Sequence, residues 1–242
     1  MTSPGRPLFE RFVAAPAYPP EPADLQIVRV FGLELPLRAS VAIVVVTLAV
    51  LFDYSRTFIP EPIRALGLGA EGLRYQAIER LVIFLVVPLA VVILGFRDAP
   101  ARYGLRLGDW RWGIGLIVVG CAAMTLVVAF LAGLPDFRAY YAPAIAPVAD
   151  LVVTYTLDLV STEFLVRGFL MFALIRVIGP IGVLVVQFPF VLAHLGKPEI
   201  ELFSTLFGGF VYAWVDWRTG SILWSAAAHI YIVTLLVVLS AA

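Results

Sequence analysis

The chain has 242 residues, of which 62% are hydrophobic and only 14% charged, and its mean hydropathy is +0.98. A soluble domain carries about 25% charged residues, so a water-soluble globule is excluded, and a net charge of zero leaves no electrostatic case for nucleic acid. The single cysteine, Cys121, lies in an apolar run and reads as a small buried hydrophobe, with neither an internal disulfide nor a CxxC metal motif.

Several apolar runs approach the ~20 residues that a membrane helix needs. They predict an all-α fold, a polytopic membrane helix bundle of about seven spans. The first unit is residues 1–38, which carry Pro4, Pro7, Pro16, Pro19, Pro20, Pro22 and Pro36. Proline at this density prevents a long helix. An extended arm on the membrane surface is expected, with residues 25–37 interfacial, and no early apolar run has the form of a signal peptide.

Residues 39–99 hold two spans. The first is 38–54. In 55–79, Arg64, Glu71, Arg74 and Glu79 alternate with Ile63, Leu66, Leu68, Leu73 and Ile78, which predicts an amphipathic connection along the interface. The second span, 80–96, contains Pro88, where a kink is expected.

Residues 100–242 form the core unit. Its lead-in, 97–112, places Arg97, Arg102, Arg106 and Arg111 among Tyr103, Trp110 and Trp112, the composition of a headgroup-level anchor. Spans are predicted at 113–134, 148–175, 181–195, 202–214 and from 221 to the C-terminus. Gly179-Pro180 separates the fourth from the fifth, and Gly208-Gly209 lets the sixth approach a neighbour closely. The distribution of basic residues between loops favours a cytoplasmic N-terminus. Lys197 is the only lysine among 17 basic residues, a codon bias of GC-rich genomes, so a bacterial cytoplasmic membrane is the expected location.

Within the spans the polar set is small: Asp158, Thr162, Glu163, Arg167, His194 and His229. Glu163 and Arg167 are four residues apart, on one helical face. An intramembrane charge costs at least ~2.5–3.5 kcal/mol by insertion scales, and such groups turn to a bundle interior or a water-filled cavity. Three predicted helices carry the set, and Glu163, Arg167, His194 and His229 are expected to surround one cavity. A carboxylate, a guanidinium and two imidazoles suit water activation with electrostatic stabilisation, or a metal held by one Glu and two His. They also suit a plain structural ion pair with interhelical hydrogen bonds.

Residues 162–167 resemble the EExxxR motif of the CPBP family, the CAAX protease and bacteriocin-processing (Abi) intramembrane endopeptidases. Phe190-Val191-Leu192-Ala193-His194 looks like the family's FxxxH. Gly220-Ser221-Ile222, leading to His229, is similar to its third region, which ends in HxxxN. Tyr103-Gly104-Leu105 and Trp110-Arg111-Trp112-Gly113 look like the usual lead into the core. The resemblance spans about residues 100–235. It implies a mechanism in which the first glutamate and the FxxxH histidine activate water. The HxxxN histidine and asparagine would steady the oxyanion, while the second glutamate and the arginine support the site.

Two positions depart from that pattern: Thr162 stands at the first glutamate and Val233 at the asparagine. A threonine hydroxyl cannot take a proton from water near neutral pH. Asp158, one turn from Thr162 on the same face, and Glu163, about 100° around the helix, are the carboxylates that remain as bases. The leading expectation is a degenerate family member that binds a hydrophobic or lipid-tailed client, or serves as an accessory or scaffold subunit of a membrane-protein complex, with membrane lipids as its other partners. The alternatives are an active endopeptidase using Glu163 or Asp158, and ligation of a metal or tetrapyrrole by His194 and His229. No resident cofactor belongs to the first two.

Overall fold

The computed structural model describes residues 16–56, 59–67 and 69–242, and the stretch of the expected arm before Pro16 lies outside the described residues, as does Leu68. The chain is a helical membrane bundle. In chain order its principal helices are α1 (Leu37–Ser55), α2 (Ala70–Gly95), α3 (Trp110–Leu131), α4 (Pro135–Tyr141), α5 (148–178), α6 (Gln187–Leu192), α7 (Glu199–Thr219) and α8 (Leu223–Ser240).

Among the described residues five stretches are long and apolar enough to cross a membrane. The expected fourth and fifth spans fall together in one of them, Val148–Leu192. That stretch is not straight. Gly179 takes a φ of 69°, and Gly182 lies so close to Leu174 and Ile175 that a Cβ there would meet the Ile175 side chain at 2.9 Å. The chain therefore folds back on itself after α5. The expected sixth span is α7, which is 21 residues long but carries Glu199, Glu201 and Arg218 in its terminal turns and is not one of the five.

Polar contacts sort the helix ends into two sets. At one end Arg38, in the first turn of α1, donates to the Phe96 carbonyl just beyond α2 (3.1 Å), and the Asp109 amide before α3 donates to Thr219 at the end of α7 (2.8 Å). At the other end Arg80, low in α2, bridges Asp53 at the close of α1 (2.7 Å) and Asp158 of α5 (2.9 Å). Neighbouring segments thus run antiparallel.

Residues 70–79, expected as a surface connection, are the first turns of α2. Two of their charges find partners in other segments: Arg74 pairs with Asp150 at the exposed surface (2.8 Å), and Glu79 with the largely buried Arg56 (3.7 Å). Further on, π turns at Leu81–Val86 and Val91–Gly95 flank Pro88. A proline has no amide hydrogen and crowds the preceding turn, and widened turns of this kind accommodate it. A third π segment, Phe164–Met171, lies in the middle of α5. From Ser161 to Arg176 every residue of α5 is buried. Phe164, Leu165, Phe169 and Phe172 form the main core with Ala42 and Val46 of α1, Phe84 and Val92 of α2, and Phe190 of α6.

The described part of the arm is not simply extended. Strand β1 (Ile27–Val30) pairs antiparallel with β2 (Leu33–Pro36), which runs directly into α1. Before the hairpin, Asp24 accepts from Arg38 (3.0 Å), Arg102 (2.6 Å) and the Glu21 amide (2.8 Å). Arg106 donates to the Gly220 carbonyl (2.9 Å). Two arginines of the expected headgroup anchor therefore point inward and tie the arm and loops together, while Arg97 and Arg111 stay exposed.

Burial opposes ionisation of Asp24, but the Glu21 amide and the two guanidinium groups outweigh it and hold the carboxyl below its ordinary 3.8. A carboxylate depressed in the folded state adds stability that is complete above its unfolded value and vanishes as pH falls through the folded one. Asp24→Asn is expected to lower the unfolding temperature at neutral pH and to flatten the loss of stability below about pH 4. Thermal unfolding of both proteins in one detergent, across an acid pH series, checks this.

Candidate functional site

Glu163 is the last residue of the first regular α-helical part of α5, and Arg167 follows one turn later inside the π segment. Their side chains form an i,i+4 ion pair, and neither is exposed to any degree. A buried carboxylate and guanidinium must satisfy their remaining atoms or cost several kcal/mol. Glu163 Oε1 accepts from His229 Nδ1 of α8 (2.8 Å), and the Ser225 hydroxyl lies 3.5 Å from Oε2. Arg167 donates to the Gly209 carbonyl of α7 (3.4 Å), and its guanidinium stacks 4.0 Å from the Phe190 ring centre. Gly209 makes this possible, because a Cβ there would run into Gln187 and Phe190. The close approach expected of the sixth span is real, and its partner is α6.

His194 is not on a helix. It occupies the turn after α6, where its Nδ1 lies 2.7 Å from the Phe190 carbonyl. A carbonyl only accepts, so Nδ1 carries the proton and Nε2 is left with a free lone pair. In His229 the Nδ1 atom likewise carries a proton, donated to Glu163. The two rings lie nearly parallel with centres 6.5 Å apart.

Two cavities meet at these imidazoles. A polar one of about 120 Å³ is lined by Asp158, Thr162, His194, Lys197 and His229, among others. An apolar one of about 270 Å³ lies between α3, α7 and α8, walled by such residues as Leu116, Met124, Val211 and Leu236. Tyr141, His194, His229 and Val233 line both. Glu163 and Arg167 line neither. The four expected site residues do converge, but the ion pair stands behind His229 rather than on a cavity wall.

Asp158 is on the wall of the polar cavity, where Arg80 spans its two carboxylate oxygens (2.9 and 3.2 Å). The Thr162 hydroxyl donates to the Asp158 carbonyl (3.0 Å), with an Asp158 oxygen at 3.4 Å. At the cavity rim Lys197 bonds Glu201 (2.7 Å) and the Tyr141 hydroxyl (3.2 Å), and Tyr141 donates to Glu201 as well. Arg80, Lys197, Tyr141 and Ser225 were not picked out by sequence reasoning. Only Ser225 left a trace there, one helical turn before His229. Among the described residues no three His, Cys, Asp or Glu side chains are grouped to hold a metal ion.

Residues 144–235 match a family model described as type II CAAX prenyl endopeptidase Rce1-like. No curated protein and no solved structure matches this chain.

Proposed function

Starting from an Rce1-like domain at residues 144–235, which places this stretch of an integral membrane protein in the CAAX protease family, we propose that the protein is a catalytically degenerate member that holds a hydrophobic or lipid-tailed client in its intramembrane cavities. One observation carries this reading. Both positions from which water attack and oxyanion support would come face the polar cavity, and they are Thr162 and Val233. The wall keeps the two imidazoles and has a threonine where the motif's first glutamate would stand. Glu163 does not replace it, since its oxygens are held by Arg167 and His229 behind that wall. The apolar cavity suits a tail and the polar one its head, in the manner of pockets that are mostly apolar with a few placed polar groups. A role as an accessory subunit of a membrane complex is compatible with the same chemistry.

The test uses purified protein in lipid nanodiscs and a fluorescent peptide carrying a C-terminal isoprenoid thioether. Saturable binding is expected, competed by the tailed peptide and not by its untailed form, with no cleavage product by mass spectrometry. Cleavage that disappears in His194→Ala overturns the degenerate reading.

One observation favours a second reading, an active endopeptidase: Asp158 shares the polar cavity with His194. Cleavage lost in Asp158→Asn and kept in Glu163→Gln would identify Asp158 as its base.

A further inference from the structure

At the tip of the hairpin the chain places a phenylalanine where turn chemistry favours asparagine, aspartate or glycine. Phe31 and Gly32 both have positive φ, 50° and 85°, as a tight two-residue hairpin turn requires. A bulky side chain in the left-handed region is strained. Phe31 is also fully exposed, at 102%. Strain combined with an unburied aromatic ring is unfavourable twice over unless something covers the tip.

The pattern along the strands is amphipathic. The register sets Val28 opposite Leu35 and Val30 opposite Leu33, which gives one face of four aliphatic side chains. Arg29 and Glu34 pair on the other face, with Arg29 donating to Glu34 at 2.9 Å. Val28 and Leu35 are half-buried at the root, whereas Val30, Phe31 and Leu33 are exposed.

No linker separates this hairpin from the membrane. β2 ends at Pro36 and α1 begins at Leu37, whose amide donates to the Gln26 carbonyl (2.8 Å) and closes the hairpin root onto the helix. The first turn of α1 holds Arg38, bound to Asp24 and Asp98, so the root lies at the end of a spanning helix. The outward side of that helix is apolar, with Ile43, Val44, Leu48 and Leu51 exposed. Leu107 and Trp110 are exposed at the same end of the bundle. Four residues per strand reach roughly 13 Å, more than the ~5–8 Å of headgroup layer on one side of a bilayer. A hairpin standing along the membrane normal would leave its apolar tip in water. A hairpin lying flat would join its aliphatic face to the lipid-facing surface of α1.

We infer that the hairpin is an interfacial anchor: it lies in the plane of the bilayer surface with Phe31, Val30 and Leu33 in the lipid and the Arg29–Glu34 pair towards water. The partner is the lipid surface, recognised by apolar area and not by headgroup type.

A solvatochromic thiol probe reports this directly. The probe is attached at Phe31→Cys, or at Glu34→Cys, each in a Cys121→Ser background, and the full chain is reconstituted into vesicles of phosphatidylcholine and phosphatidylglycerol. At position 31 the emission is expected to shift to the blue of the probe in buffer, with severalfold stronger quenching by doxyl-labelled lipid than by iodide. At position 34 the preference is expected to reverse. An aqueous spectrum with iodide quenching at position 31 overturns the inference. So does shielding of position 31 from both quenchers, which would mean that protein covers the tip.

Discussion

The double substitution Thr162→Glu, Val233→Asn is expected to raise cleavage of a lipidated peptide by about two orders of magnitude over the unaltered chain, and by about four or more if the two groups act independently. A positioned general base contributes typically ~100- to 10,000-fold, and one oxyanion donor ~100- to 1,000-fold. The two act on one transition state and need not multiply in full. Both side chains already face the polar cavity that His194 and His229 line, so the new groups would enter the space where a water could be held. The introduced carboxylate would have Asp158 one turn away, a like charge that Arg80 already offsets. Single-turnover cleavage of a prenylated peptide, followed by mass spectrometry for the double variant and each single one, gives the answer. A double variant that folds and binds the tailed peptide but stays at background would show that the cavity has lost more than these two groups.

The largest expected loss of stability follows Arg167→Met. The guanidinium has no exposure and answers a carboxylate that has none either. Removing one member of a buried pair typically costs ~3–5 kcal/mol because the other charge is left uncompensated, roughly a 100- to 5,000-fold shift of the folding equilibrium. His229 remains on Glu163, but an imidazole hydrogen bond does not replace the guanidinium. Glu163→Gln added to Arg167→Met is expected to recover much of the loss, since a buried pair exchanged for neutral groups of similar volume is often near neutral. Equilibrium unfolding in mixed detergent micelles measures all three variants. If Arg167→Met alone unfolds at the same midpoint as the parent, the pair is not a structural element of the bundle.

Much of the architecture is written in the apolar runs, and the one-turn spacing of Glu163 and Arg167 is enough to predict their contact. Other features depend on partners far along the chain. Glu71, Arg74 and Glu79 read as a surface connection because unpaired charges avoid lipid surroundings. Arg74 meets Asp150 at the exposed surface and Glu79 meets Arg56, and the helix continues through them. The fold-back after Gly179 places His194 in a turn, and no periodicity reports a turn that ends under another helix. Spacing also cannot say which of two adjacent residues, Thr162 or Glu163, looks into the cavity. That is decided by where α8 brings His229. The hairpin was hidden because prolines dominate the arm, although Phe31-Gly32 between short aliphatic runs has the spacing of a two-residue turn.

The complete burial of α5 between Ser161 and Arg176 bears on how the protein is made. In α3, by contrast, only Gly113 and Val128 are buried. A segment with a carboxylate and a guanidinium at its centre and no outward side gains little from leaving the translocation channel alone into lipid. It needs waiting neighbours. α1 and α2, which wall it through Ala42, Val46, Phe84 and Val92, emerge from the ribosome first. The N-terminal pair of helices is then a mould for the central one, present before its charged middle has to leave water.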